Sequence, residues 1–200
     1  MTENELLEFV QKQSKVVIEL GCGQTKRSGA IGIDHLPLDG VDFVADIEQG
    51  LSFLPDNSVD EIYSSHLLEH IGNLELLMKE IHRVLKPDGK KIAVVPHFSN
   101  PYYYSDYTHR KFFGLYTFDY LSLKDARYKR GVPTFYVNFK FQVLSRKLNF
   151  KSPFFLRNLV KQILKRIFNF NPYMQELYES SFCWRYPCQE LIFVLKPHKP

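Results

Sequence analysis

Short apolar runs recur along the first half of the chain, and most of them end in an acidic residue or a turn. Five such runs predict β-strands, over residues 16–20, 31–34, 41–47, 59–64 and 91–95. Before the last of them, the apolar spacing predicts a helix over 74–85 with Asn73 as its cap and a tight turn over 85–90 after it. Strands that alternate with helices are typical of an α/β domain.

The first run leads into the turn Gly-Cys-Gly at residues 21–23. Glycine has no Cβ, so it adopts positive φ without strain and lets the main chain approach a bound nucleotide closely. Such a turn also occurs in ordinary strand-to-loop connections. Asp34 and Asp46 end the next two runs, however, and the carboxyl ends of parallel strands meet at the edge where α/β sheets bind ligands. The pattern predicts a nucleotide-like ligand bounded by carboxylates.

Six ordered segments resemble the class I S-adenosylmethionine-dependent methyltransferases, and among them the group with a type 11 methyltransferase domain. The segments cover residues 19–23, 32–34, 45–47, 54–60, 65–71 and 83–89. The resemblance is strong over residues 16–96 and loose beyond them. It implies an α/β fold with a Rossmann-like, doubly wound sheet of seven strands in the order 3-2-1-4-5-7-6, the last strand antiparallel. The apolar runs 139–144 and 190–195 supply the last two strands.

The resemblance implies S-adenosylmethionine as cofactor and assigns residues to its methionine end. Gly21 and Gly23 would let the backbone meet this end, with Cys22 between them in the same turn. Glu19 would hold the amino group, directly or through water. His66, just past the fourth strand, would border the methionine portion.

The adenosine end is assigned by the same resemblance. Asp34 would accept hydrogen bonds from both ribose hydroxyls. Asp46 would accept from the adenine amino group, and the Ile47 amide would donate to the ring.

The chain departs from the family where Thr25 replaces the usual third glycine. Only 13 positions separate the first glycine from Asp34, which is too few for a crossover helix and its turns. We therefore expect an irregular connection over residues 24–30 that carries Lys26 and Arg27 near the cofactor.

Residues 66–70, His-Leu-Leu-Glu-His, match the H-x-x-E-H pattern of one group of zinc proteases. Both histidines precede the predicted helix, so they would not share a helix face, and the sequence offers no evident third ligand. We expect no metal here, a packing or hydrogen-bonding role for Glu69 and His70, and no zinc site at Cys183 and Cys188.

Composition is that of a globular chain, with 44% hydrophobic and 24% charged residues. We expect one domain over 1–200, with a cofactor-binding half over 1–96 and an acceptor-binding half over 97–200. No export signal opens the chain and its three cysteines are odd in number, which favours a reduced, cytoplasmic protein.

Charge divides the chain into two unlike halves. Residues 1–100 hold 9 Lys and Arg against 16 Asp and Glu, a net charge of −7, whereas residues 101–200 hold 17 against 6, a net charge of +11. An acidic half suits a cationic cofactor, and a basic half suits an anionic second ligand or surface. Lysines that merely solvate helix faces would give the same count.

A long aromatic segment, residues 96–113, follows the fifth strand and should wall the acceptor pocket. Tyrosine combines a rigid apolar face with a polar tip, which suits a sugar or an aromatic ring. A hydroxyl acceptor needs a base, and the candidates are His109 or His97, with Asp106 placed to orient the imidazole of His109. The alternative is that each histidine only hydrogen-bonds within the loop.

Residues 153–168 have apolar positions at the helical period and predict a basic amphipathic helix. Such a helix could lie on an anionic membrane surface, next to a lipid-linked substrate. We favour the other interpretation, in which its apolar stripe packs on the domain itself or on a second subunit of a homodimer.

The sequence thus predicts a methyltransferase for a small-molecule or saccharide-like acceptor, with O-methylation of a sugar, which could be lipid-linked, as the leading hypothesis. An RNA or protein methyltransferase is an alternative that Arg127, Lys129 and Arg130 suggest. A non-catalytic, cofactor-binding regulatory partner is another.

Overall fold

Strands and helices follow one another along residues 1–199, which the computed structural model describes; Pro200 lies outside this range. The strands are β1 (Val17–Leu20), β2 (Ile31–Asp34), β3 (Phe43–Val44), β4 (Val59–Ser65), β5 (Leu85–Pro96), β6 (Lys140–Asn149) and β7 (Glu190–His198). The α-helices are α1 (Glu3–Lys12), α2 (Leu74–Val84), α3 (Phe155–Phe168) and α4 (Pro172–Leu177).

The seven strands form one mixed sheet in the order β3-β2-β1-β4-β5-β7-β6. Strands β1 to β5 are parallel to one another, and β7 is antiparallel to both of its neighbours, β5 and β6. The predicted Rossmann-like sheet, its order and its antiparallel last strand are confirmed. A helical insertion, α3 and α4, separates β6 from β7.

The register brings the carboxyl ends of the central strands together. Leu20 of β1 pairs with Ile33 of β2 and with Ser64 of β4. The residues that follow these positions therefore emerge side by side at one edge of the sheet. This edge is where ligands bind in open α/β sheets.

Helix α2 begins and ends where the sequence predicts. The Asn73 side chain accepts a hydrogen bond from the Leu76 amide (3.1 Å), which satisfies one free donor of the first turn. Four apolar side chains at helical spacing are buried against the sheet: Leu77, Met78, Ile81 and Val84.

Two predicted strands differ at their ends from what the structure shows. The third strand is confined to Phe43–Val44, and a short 3-10 helix, Ile47–Gln49, follows it. The predicted turn over 85–90 lies inside β5, because Val59 pairs with Leu85 while Glu61 already pairs with Lys90. The extra residues of β5 form a bulge there, which allows the strand to start earlier than expected. The connection between β1 and β2 has no helix, as predicted.

Helix α3 lies on the protein with its polar side inward. Lys165 Nζ donates to Asn149 Oδ1 (2.6 Å), Gln162 Nε2 donates to the Phe150 carbonyl (3.1 Å), and Lys161 Nζ donates to the Pro187 carbonyl. Most of the apolar stripe faces outward, at Leu156, Leu159, Val160, Ile163 and Ile167. The expectation that this stripe packs on the domain itself is therefore wrong. Among residues 1–199, no helix has the length and apolarity needed to cross a bilayer.

A buried ion pair ties the segment after β5 to the sheet. Arg146 of β6 donates from Nη1 and Nη2 to the two carboxylate oxygens of Asp119 (2.9 and 2.7 Å), and also from Nη1 to the Leu115 carbonyl (2.7 Å). Its guanidinium lies 4.0 Å from the centre of the Tyr128 ring. This pair holds the segment after β5 against β6.

Candidate active site

A cavity of about 770 Å³ opens at the carboxyl edge formed by β1, β2 and β4. Its volume lies within the range of small-molecule sites, ~300–1,000 Å³. Its lining includes five of the predicted cofactor residues, which are Gly21, Asp34, Asp46, Ile47 and His66. The structure thus brings together residues from four separate strand ends.

The conformation of the glycine turn at residues 21–23 requires glycine at residue 21. Gly21 has a φ of +66°, and a Cβ at this position would lie 2.7 Å from Leu67 Cδ1. Gly23 has a φ of +57° with open space where a Cβ would stand. The Gly21 amide donates to the Ile33 carbonyl (2.8 Å), which fastens the turn to β2. Glycine at residue 21 therefore satisfies both a conformational and a steric requirement.

Two backbone amides, one of them from the glycine turn, hold the Asp34 carboxylate in place. Its Oδ2 accepts from the Gly23 amide (3.0 Å) and its Oδ1 accepts from the Leu36 amide (3.1 Å). A carboxylate oriented by two backbone amides keeps further lone pairs for a diol in the cavity. This placement agrees with the predicted role toward ribose.

Asp46 caps the 3-10 helix that follows β3, since its Oδ1 accepts from the Glu48 amide (3.0 Å). Ile47 is the first residue of that helix, and the amide of a first residue has no partner within its own helix. An acceptor and a free donor thus stand next to each other on the cavity wall, the pair of groups that an adenine edge requires.

Glu19, Cys22 and Gly23 are absent from the cavity lining. The Glu19 carboxylate is 6% exposed, and its Oε2 accepts from the Arg27 amide (2.6 Å), which orders the irregular connection. Burial raises the pKa of the Cys22 thiol to about 11, so this group stays protonated. The predicted contact of Glu19 with the cofactor amino group stays a prediction.

His66 follows β4 with a φ of +52°, a left-handed conformation that few residues other than glycine adopt. Its Nε2 lies 3.0 Å from Glu190 Oε2, and its Nδ1 lies 3.3 Å from Glu69 Oε1. The hydrogen bond to Glu190 is the main cause that raises the pKa of His66 to about 9, and it lowers the pKa of Glu190 to about 2. An imidazolium therefore stands at the cavity wall at neutral pH.

Comparison with known proteins adds an independent observation. Residues 23–93 match the family described as a methyltransferase domain. No curated protein matches the sequence. Residues 23–93 are thus a methyltransferase domain of the kind that depends on S-adenosylmethionine.

Solved structures share the fold of this methyltransferase. One is a methyltransferase from Archaeoglobus fulgidus that depends on S-adenosylmethionine, with 18% identity, coverage of 97% of this chain and 92% of that chain, and a TM-score of 0.51. Another is the YcgJ protein from Bacillus subtilis, with 16% identity, coverage of 99% and 98%, and a TM-score of 0.54. At these identities the likeness shows the fold alone.

The three predicted catalytic residues of the methyltransferase lie in two places. His97 is completely buried: its Nδ1 accepts from the Ser99 amide (3.0 Å), and its Nε2 lies 3.3 Å from Glu179 Oε2. Both of its nitrogens are thus engaged, and it is not part of the cavity lining. The structure does not bring His97 to the cofactor edge.

His109 and Asp106 lie next to the cavity. His109 Nδ1 donates to the Tyr103 carbonyl (2.9 Å), and its Nε2 lies 3.5 Å from Asp106 Oδ2. Asp106 binds Thr108 more closely, because its Oδ1 accepts from the Thr108 hydroxyl (2.6 Å). The predicted pairing of His109 with Asp106 is therefore a loose one.

Sequence reasoning did not assign the other six lining residues, among them His70 and Thr108, whose side chains meet at 2.9 Å between Nδ1 and Oγ1. The ring of His70 lies 4.8 Å from that of His109. The sequence signals for His70 were the H-x-x-E-H pattern and its place in the family segment 65–71. Thr108 gave no signal, because a contact across 38 residues depends on the folded loop.

Proposed function

We propose that this methyltransferase transfers a methyl group to a hydroxyl oxygen of a small, saccharide-like acceptor. The observation that carries the proposal is the composition of the cavity wall. Asp34 and Asp46 form one part of it, and His70 and Thr108 form another, so cofactor and acceptor groups share one space. S-adenosylmethionine supplies an electrophilic methyl group when bound.

The chain's own residues position the acceptor and handle its proton. Methyl transfer to a hydroxyl requires alignment, exclusion of water and removal of the hydroxyl proton. Glu69, His70 and His109 lie together beside the cavity and offer carboxylate and imidazole groups for this step. An amine acceptor would need only to be unprotonated, so this cluster favours oxygen as the acceptor atom.

Exposed tyrosines support a saccharide-like acceptor. Tyr107 is 98% exposed and precedes Thr108, which lines the cavity. Tyr102 and Tyr104, in the same segment, are also exposed. Rigid aromatic faces with polar tips suit the alternating apolar and hydroxyl surfaces of a sugar ring.

The test is methyl transfer from labelled S-adenosylmethionine to a panel of polyhydroxylated saccharides and their amino analogues. We expect a methyl ether as product. Thr108→Val should lower kcat/KM about 10-fold, because the loss of a hydrogen bond to His70 costs ~1.5 kcal/mol. The dissociation constant of the cofactor should not change.

Thr134→Val, a matched substitution outside the cavity lining, should leave kcat/KM unchanged. Methylation of nitrogen alone, or full kcat/KM in Thr108→Val, would contradict the proposal.

We propose further that the outward face of α3 docks on an anionic lipid surface, which would place a lipid-linked acceptor near the enzyme. Leu156 is 75% exposed and Ile163 is 59% exposed, while the polar side of the helix is bonded to the protein. Arg157 and Arg166 of the same helix and Lys151 shortly before it are exposed. Apolar side chains beside cations are the composition that binds anionic bilayers.

The double variant Leu156→Glu/Ile163→Glu should lower partitioning onto vesicles rich in phosphatidylglycerol about 100-fold. Each apolar side chain buried in the bilayer contributes ~1.5 kcal/mol or more, and two of them correspond to this factor. Co-sedimentation measures it, with phosphatidylcholine vesicles as the uncharged comparison.

Phe135→Glu changes a side chain that is 79% exposed outside α3, and it should sediment with the vesicles like the unaltered protein. The membrane proposal fails if anionic vesicles do not bind the protein. It also fails if light scattering shows a dimer that the α3 double variant dissociates.

A further inference from the structure

Three ligand-type side chains converge beside the cavity although they come from different parts of the chain. Glu69 and His70 follow β4, and His109 lies in the loop after β5. One ligand atom from each lies within 4.8 Å of the others. Backbone bonds fix this arrangement, since the Arg110 and Lys111 amides donate to the Glu69 carbonyl (2.7 and 3.1 Å).

The Glu69 carboxylate is the unusual member of the cluster. It is 0% exposed, and within residues 1–199 neither of its oxygens has a hydrogen-bond partner. Its Oε1 lies 3.3 Å from His66 Nδ1, but the His66 imidazolium is shared with Glu190, which lies closer at 3.0 Å. One imidazolium between two buried carboxylates leaves lone pairs on Glu69 that can bind a further cation.

Hydrogen bonds decide which ring nitrogen of each histidine carries the hydrogen. The Thr108 hydroxyl donates to Asp106 Oδ1 (2.6 Å), so it accepts from His70 Nδ1 (2.9 Å). His109 Nδ1 donates to the Tyr103 carbonyl (2.9 Å). With Nδ1 as the donor in each ring, Nε2 is the nitrogen that can bind a ligand, and that of His109 has only the loose contact with Asp106 Oδ2 (3.5 Å). Donation from one ring nitrogen to an oxygen atom is the arrangement that orients metal-binding histidines.

We propose that Glu69, His70 and His109 bind a divalent transition-metal ion of the zinc class. Two imidazoles and one carboxylate are the protein ligands of catalytic zinc sites that keep an open position. His70 lines the cavity, so the open position would face the acceptor. His66 is not a ligand, because its ring lies between Glu69 and Glu190.

A role for the cation in catalysis follows if the chain methylates a hydroxyl, and this part of the inference rests on that proposed function. A metal ion that binds the acceptor hydroxyl lowers its pKa, and the proton passes to water. The metal, and not an imidazole, would then activate the oxygen. Binding of the ion itself does not depend on the acceptor.

The experiment is calorimetric titration of the chelator-treated full chain with Zn²⁺, and with Co²⁺ followed by visible absorption. We expect one ion per chain and cobalt bands of low coordination number. Glu69→Gln and, separately, His109→Ala should weaken binding more than about 100-fold, since even residues that only orient metal ligands contribute 10–100-fold. His198→Ala, an exposed histidine, should bind metal like the unaltered protein.

Cofactor binding by each variant reports that it is folded. The metal proposal is overturned if the unaltered chain binds neither ion stoichiometrically, or if both variants bind as tightly as it does. Full O-methylation in excess chelator would remove the cation's task in catalysis and leave the proposed function intact. Metal binding with methylation on nitrogen alone would contradict the proposed function and leave the metal site intact.

Discussion

Asp34→Ala is expected to raise the dissociation constant for S-adenosylmethionine about 100-fold. In the proposed complex its carboxylate accepts from two ribose hydroxyls, and each bond to a charged group contributes ~1.5–3 kcal/mol, so a loss of ~3 kcal/mol or more corresponds to this factor. The variant also removes the acceptor of the Gly23 amide, which loosens the glycine turn. Isothermal titration with the cofactor or its demethylated product measures the change.

Asp39→Ala is the matched control, because Asp39 is exposed on the connection after β2. It removes the same charge from the same half of the chain. Its dissociation constant should equal that of the unaltered enzyme. Equal affinities for Asp34→Ala and Asp39→Ala would show that Asp34 does not hold the ribose.

Asp119→Ala is expected to lower the free energy of unfolding by ~3–5 kcal/mol, the usual effect of removing one partner of a buried ion pair. Arg146 is 5% exposed and would keep its charge with only the longer contact to Asp125 Oδ2 (3.3 Å) as compensation. For a chain of this size the loss corresponds to a fall in melting temperature of roughly 6–20 °C. Calorimetry or circular dichroism measures it.

The charge itself, and not the packing, should account for most of this effect. Burial raises the pKa of Asp119 even though Arg146 is next to it. The free energy lost when both groups leave water therefore offsets much of the attraction between them. The double variant Asp119→Leu/Arg146→Met should therefore melt closer to the unaltered protein than Asp119→Ala does. Asp88→Ala breaks the exposed pair with Lys196 and should hardly move the melting temperature. A single Asp119 variant that melts like the unaltered protein contradicts the argument.

The fold of residues 1–96 could be predicted from sequence because its signals are local. Each strand end carries its own carboxylate, Asn73 caps α2 directly before its apolar face, and the short spacing before Asp34 excludes a crossover helix. These features depend on neighbours a few positions away. Strand order then followed from the family resemblance.

The fold of residues 97–199 could not be predicted to the same depth because the contacts of this part are distant in sequence. The amides of Arg110 and Lys111 bind the Glu69 carbonyl, and this contact places His109, and not His97, beside the cavity. The helical period located α3, but Lys165 and Gln162 decide which side faces the protein. A periodic pattern does not show whether the apolar or the polar side turns inward.

The place of β7 in the sheet has a consequence for when the enzyme becomes competent. This strand comes last in sequence order but lies between β5 and β6, and its first residue, Glu190, fixes the imidazole of His66. The cavity wall is therefore complete only once β7 has paired with β5 and β6, because until then His66 lacks the carboxylate that fixes its ring.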